Sequence, residues 1–266
     1  MTDTQPLVST RYRDHGKDGR VAWLTIEREA KLNTLNPAML AAVTAAAKAL
    51  QHDESLRAAV VTGRGERAFV GGADIFTMAK LAEPAAAEAF ITSVHQAIAA
   101  VRDIPVPVIA RVNGYCLGAG LELAAACDLR VAADSAVFGM PEVKVGLPSV
   151  IEAALLPRLV GWGFAAELVL LGENIDAATA RDIRLVERVV PMAELDAAVD
   201  KYLGAILAAG PKAVRIQKDL MRQWEKLPLD QAVQAGIRSF RSTYASGGAE
   251  PQEMLGRFVE RKRKGK

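Results

Sequence analysis

Two glutamates and two glycine-rich stretches are the parts of this sequence best suited to chemistry. Residues 69–75 read FVGGADI, and residues 113–128 read NGYCLGAGLELAAACD. In each, small residues stand where a strand gives way to a turn or helix. Glycine there permits left-handed backbone and lets a ligand approach the main chain. Gly118, Ala119 and Gly120 fall at the mouth of a helix expected to run through Cys127. Unpaired N–H groups and the positive end of the dipole meet at such a point, which suits a developing negative charge. Glu122 falls in the first turn of that helix, and Glu142 follows a strand-like stretch and a proline in FGMPEVKVG. Alone, each acid does no more than complement a helix dipole, and one glycine segment does no more than allow close packing. Together, two carboxyls near a pair of backbone donors form an acid–base set for reactions next to a carbonyl. In an apolar cleft the two would not ionise alike, because repulsion and desolvation raise at least one pKa towards neutrality.

Competing chemistries fail on spacing. After Gly118-x-Gly120, the position three residues on is Leu123, so a dinucleotide fingerprint is broken. No Walker lysine follows, and no G-x-S-x-G elbow exists in the chain. His15, His52 and His95 are far apart and make no ligand pattern, so none is expected to be catalytic and no metal site is expected. Cys116 and Cys127 sit among apolar residues and read as reduced, buried thiols of a cytosolic protein.

The elements that must hold these residues follow from pattern. Residues 21–26, 58–62, 106–112 and 129–132 read as strands. Between the first two lies a helix with Asn36 as N-cap and Pro37 at its first position. Its apolar stripe is Met39, Leu40, Val43, Ala47 and Leu50. A second helix is expected over 84–102, ahead of Pro105. Strands alternating with helices argue for an α/β fold. From residue 192 the strand signal ends, and 192–209, 211–224, 229–244 and 251–262 each read as helices. The chain therefore divides into a core region, 1–191, and a helical region, 192–266, too small to hold much core alone. That region is expected to pack on the first or on another subunit.

Composition excludes several classes. The 266 residues are 51% hydrophobic and 24% charged, which is inconsistent with disorder or low complexity. Thirty-three basic against 31 acidic residues leave a net charge of +2, too balanced to imply a nucleic-acid partner. No stretch reaches about 18 apolar residues without a charge, so no membrane span is expected. The opening MTDTQPLVST lacks the pattern of a secretory signal.

Residues 27–40 (EREAKLNTLNPAML), AFVGGADI, PVIARVNGYCLGAGLELAAACDLRVA, FGMPEVKVGLP, LPRLVG, LLGENIDAATA and the late RFVERKRK together resemble the enoyl-CoA hydratase/isomerase (crotonase) family over nearly the whole chain. The central segment is highly specific, because its glycine spacing, the trailing Cys-Asp and the later Pro-Glu all agree. The resemblance implies a crotonase-like spiral of ββα units with a C-terminal helical region used in trimerisation, the trimers commonly pairing into hexamers. It also implies an acyl-CoA thioester as substrate, with coenzyme A entering as part of that substrate and no separate cofactor. The thioester oxygen would accept from the backbone N–H groups of Ala73 and Ala119, while Glu122 and Glu142 hold a water at the β-carbon and deliver a proton to the α-carbon. Lys31 and Leu32 match the stretch lining the CoA pocket, and Gly72, Asp74, Ile75 and Gly118 flank the two donors. Both acids being present favours hydration of a trans-2-enoyl-CoA to a 3-hydroxyacyl-CoA. Double-bond isomerisation, thioester hydrolysis and decarboxylation are the alternatives within the family. An RNA-binding relative or a subunit with a dead site are the readings outside catalysis.

The chain departs from the family in three places. Ser149-Val150-Ile151-Glu152 replaces a glycine-rich run, altering the floor of the acyl pocket, with Glu152 either a third carboxylate by the site or a plain helix start. Ala119 replaces the usual glycine, a mild change where only the N–H is needed. The basic ending, Arg-Lys-Arg-Lys-Gly-Lys, has no aromatic residue to close over an adenine and reads as solvated. Met78, Leu81 and residues 149–164 are expected to set pocket depth, with Trp162 and Phe164 in the hydrophobic core.

Overall fold

The computed structural model describes residues 6–264. The first half of the opening segment and the last two residues of the basic ending lie outside that range. The chain opens with an antiparallel pair, β1 (Val8–Asp14) and β2 (Arg20–Ile26), followed by α1 (Pro37–Gln51). Asn36 caps α1 by accepting the Met39 N–H at 2.9 Å, and the buried stripe is the expected Met39, Leu40, Val43, Ala47 and Leu50.

Three ββα turns then repeat. The first is β3 (Leu56–Gly63), β4 (Ala68–Val70), a one-turn helix α2 (Ile75–Met78) and α3 (Pro84–Arg102). The second is β5 (Val108–Val112), β6 (Tyr115–Leu117) and α4 (Ala119–Ala126). The third is β7 (Leu129–Ala133), β8 (Val137–Gly139), 3-10 turns at Pro141–Val145 and Ile151–Leu155, and α5 (Leu156–Leu171). The long strands β3, β5 and β7 lie parallel in one sheet, with Ala59 opposite Val108 and Ile109 opposite Leu129. The short strands β4, β6 and β8 lie parallel in a second sheet, with Val70 opposite Cys116 and Cys116 opposite Phe138. Each turn therefore advances one strand in both sheets, which is the expected ββα spiral. The chain continues through β9 (Ile175–Asp176), α6 (Ala177–Asp182) and β10 (Arg188–Val190) into α7 (Leu195–Ala208), α8 (Pro211–Trp224), α9 (Leu229–Thr243) and α10 (Ala249–Lys264). The sheet orders are β1-β2-β3-β5-β7-β10 and β4-β6-β8-β9.

All eight residues of β3 are buried, as befits an interior parallel strand covered on both faces. Ala59 and Val61 face the core packed under α1 and α3, while Ala58 and Val60 face Leu195, Val199 and Leu203 of α7. α7 thus closes the second face of the larger sheet. α8 is tied to the spiral by Lys218, whose Nζ donates to Asp128 Oδ2 at 2.7 Å and to the Val106 carbonyl at 2.8 Å.

One expectation about 149–164 is corrected. Trp162 is 79% exposed and Phe164 47% exposed, so neither belongs to the core. The cause is Gly161, whose non-helical backbone (φ 78°) breaks α5 and swings the following residues outward. The segment Ile151–Leu171 passes a membrane-span test by length and composition alone. It is broken at Gly161 and carries Glu152, Arg158 and Glu167.

Candidate active site

The first glycine-rich segment leaves β4 and forms a single parallel bridge with Leu35. Leu35 N–H donates to the Gly72 carbonyl and Asp74 N–H donates to the Leu35 carbonyl, both at 2.9 Å. These two bonds use the groups on either side of Ala73. Because strand groups alternate, the Ala73 N–H faces away from Leu35, and it has no protein acceptor among the described residues. Gly72, just before it, has φ +107°, a conformation that suits glycine. Asp74 caps α2 by accepting the Thr77 N–H at 2.9 Å and pairs with Arg28 Nη1 at 2.6 Å. The Arg28 guanidinium, with the Thr77 bonds, holds the Asp74 carboxyl below the usual range. Asp74 therefore anchors the segment that presents Ala73 and does not line the cavity beside it.

The second segment repeats the device. β6 ends at Leu117, and Gly118 (φ +51°) turns the chain into α4. The Glu122 N–H closes onto the Gly118 carbonyl at 2.9 Å, while the Ala119 N–H, one of the orphan donors of the first turn, has no protein acceptor among the described residues. A Cβ at Gly118 would lie 2.4 Å from Glu142 Oε1, so any side chain there must displace that carboxyl. A positive-φ glycine thus precedes each free amide.

The two glutamates stand in different surroundings. Glu122 is 4% exposed on a helix whose eight residues are all buried. Its Oε1 accepts the Ala153 N–H at 3.1 Å. Burial, reinforced by the negative fields of Glu142 and Glu152, pushes its carboxyl up to about 8. Glu142, in the 3-10 turn after Pro141, is half-buried and accepts from Ser149 Oγ at 2.9 Å through Oε2. Burial raises its carboxyl as well, opposed by its own backbone N–H and by Ser149.

One cavity of about 210 Å³ brings these groups together. Its wall includes Gly72, Ala73, Ile75, Gly118, Ala119, Glu122 and Glu142, with Met78, Ile91, Val94, Leu117 and Val150 supplying apolar surface. Lys31 and Leu32 lie outside it. Lys31 is exposed, and Leu32 braces the first segment by accepting the Gly71 N–H at 2.8 Å. Leu81 packs on the core without lining the cavity. Sequence reasoning missed Ser149 and Arg28. It also set His95 aside, although His95 Nδ1 lies 2.7 Å from Glu152 Oε1 behind Glu122's backbone donor. No spacing rule links residues 57 positions apart; the only signal was an acid in the stretch where the family resemblance implied a glycine-rich run. Chemically, the cavity offers two free amides for a developing oxyanion and two carboxyls held towards their neutral forms.

A family model described as enoyl-CoA hydratase/isomerase matches residues 16–265. The crotonyl-CoA hydratase of Syntrophomonas wolfei is 36% identical over 248 residues, spanning 93% of this chain and 94% of the relative. The crystal structure of an enoyl-CoA hydratase from Bacillus anthracis superposes with a TM-score of 0.89 at 30% identity, covering 96% of both chains. A Thermobifida fusca YX structure solved in complex with CoA superposes with a TM-score of 0.80, also at 30% identity, covering 90% of this chain and 93% of that one.

Proposed function

Since this chain belongs to the enoyl-CoA hydratase/isomerase family, we propose that its cavity binds a trans-2-enoyl-CoA and adds water across the double bond to give a 3-hydroxyacyl-CoA. It is an enzyme of the hydratase type, similar over most of its length to a crotonyl-CoA hydratase. The observation that carries the assignment of residues is the single cavity wall shared by Ala73, Ala119, Glu122 and Glu142.

In this reading the thioester oxygen accepts from the Ala73 and Ala119 N–H groups. Attack at the β-carbon moves charge onto that oxygen in an enolate-like state, and amides already in place lower its energy. One such donor is typically worth about 10²–10³ in rate. The carboxyl pair holds one proton between its members, with water bonded to both. The ionised member takes a proton from the water as its oxygen bonds to the β-carbon, and the neutral member gives its proton to the α-carbon. Water is consumed, the pair ends with the charge it began with, and no redox partner is needed. Gly72 and Gly118 set the direction of the two amides, and Asp74 with Arg28 holds the first segment. Lys31 and Leu32, beside that segment, serve the CoA end of the substrate in this reading; a similar structure was solved in complex with CoA. Coenzyme A enters only within the substrate.

The helical region 192–266 serves oligomerisation, as a homotrimer or a homohexamer. Leu229, Val233, Ile237, Phe240 and Tyr244 of α9 and its C-cap form an exposed stripe at helical spacing, the kind of surface another subunit covers. Unpaired, buried Cys116 and Cys127 suit a reducing cytoplasm. No nucleic acid or membrane is a partner in this account.

Incubation with crotonyl-CoA tests the activity. Loss of the enoyl-thioester absorbance with a product heavier by one water is expected. Release of free CoA thiol, or a shifted double bond at unchanged mass, would contradict hydration and favour the hydrolase or isomerase chemistry.

A further inference from the structure

The Ile151–Leu155 turn and α3 bring together a pair of side chains that the reaction as described does not use. Glu152 is 8% exposed, and its Oε1 lies 2.7 Å from Nδ1 of His95 on α3. Its Oε2 is buried without a partner. The next residue, Ala153, divides its N–H between the Val150 carbonyl at 2.9 Å and Glu122 Oε1 at 3.1 Å. Between Val150 and Glu152 stands Ile151 with φ +42°. A β-branched residue in the left-handed region is strained, and such strain persists only where the surroundings over-determine the backbone. The surroundings here are specific. Ala153 is fastened to Glu122 on one side of Glu152, and the Glu152 side chain is fastened to α3 through His95.

We propose that His95 and Glu152 are positioning residues, clamping the strained 151–155 turn so that the Ala153 amide holds the Glu122 carboxyl where the reaction uses it. The proposal rests on the hydratase reading above. A carboxyl left free to rotate would lose the geometry in which it meets the bound water, and a misplacement of about 1 Å in a reacting group costs about 10²-fold in rate. The clamp acts on turnover rather than on substrate binding, because neither His95 nor Glu152 lines the cavity.

His95 is half exposed, so substitutions there leave the fold intact and can be compared directly. His95→Leu removes the donor at nearly constant shape, while His95→Asn returns an N–H at the position of Nδ1. Expected in the full-length enzyme with crotonyl-CoA is a fall in kcat of about tenfold or more for His95→Leu, with KM within about twofold. His95→Asn should recover kcat to within about threefold of wild type. In a Glu122→Gln background, the same His95→Leu change should alter kcat by less than about twofold, since residues acting through one another are not additive. Equal activity of the Leu and Asn variants, or an undiminished His95→Leu effect in the Glu122→Gln background, would overturn the clamp. A wild-type enzyme that leaves crotonyl-CoA unchanged would overturn the hydratase reading and the clamp with it. An active wild type with unaffected His95→Leu would overturn the clamp alone.

Discussion

The two walls that carry the carboxyls are built differently. On one side, α4 is buried along its whole length and offers Glu122 from a helix packed on every face. Opposite it, residues 141–150 form a 3-10 turn and a loop in which Val143, Val145, Leu147 and Val150 are exposed. Both walls supply an acid, yet only the first fixes it by packing; the second fixes Glu142 by one hydroxyl, from Ser149. The contrast teaches a division of labour. In the proposed reaction the rigid wall would set the electrostatics, and the open wall would shape the space for the acyl group.

Removing either acid should have the largest effect. Glu142→Gln and Glu122→Gln should each lower kcat by about 10²–10⁴ with little change in KM, as steady-state kinetics on crotonyl-CoA would show. If Glu142→Gln turned over at the wild-type rate, the open wall would carry no chemistry. Next comes the joint between the walls. Gly118→Ala adds a Cβ that would meet Glu142 Oε1 at 2.4 Å and also strains a backbone at φ +51°. It should cost about 10²-fold in kcat, by moving one acid and one amide together.

The walls should also differ in stability against pH. With the Glu122 carboxyl at about 8, against an ordinary 4.5, the native state prefers its neutral form. That contribution is full below about 4.5 and is lost as pH rises through about 8. Glu122→Gln, which cannot ionise, should therefore match wild type near pH 4 and exceed it at pH 9. The gain should be on the order of 3 kcal/mol, at about 1.4 kcal/mol per pKa unit and allowing for relaxation. Denaturant unfolding at the two pH values measures it, and an equal difference at both would refute the buried neutral acid. The smallest effect belongs to the open wall. Val145, 65% exposed at the cavity rim, should tolerate Val145→Ala with a KM change of less than about tenfold and kcat nearly constant.

Much of the rigid wall was legible in the sequence. The Gly118-Ala119-Gly120 turn, the helix behind it and Glu122 in its first turn all follow from glycine chemistry and helix-end electrostatics. The Asn36-Pro37 start of α1 was readable for the same reason, since capping is local. The short strands β4 and β6 were not readable, and β8 showed only as a strand-like stretch before Pro141. Each spans three residues, most of them buried, so no alternation marks them. β1 was hidden for the opposite reason: its later residues are exposed and polar. The open wall resisted reading because its contacts are long-range. Ile151 in a left-handed conformation, the break at Gly161 that exposes Trp162, and the His95–Glu152 contact across 57 positions are products of tertiary packing. A left-handed isoleucine runs against every local preference.

The central claim is that two amides from separate glycine turns converge on one thioester oxygen opposite the carboxyl pair. A crystal structure of the Glu142→Gln variant with a bound enoyl-CoA tests it most directly. The account predicts the thioester oxygen within about 2.7–3.1 Å of both the Ala73 and Ala119 nitrogens, with the β-carbon facing Glu122 and residue 142. A thioester oxygen bonded to neither amide, or a double bond lying away from both acids, would contradict it.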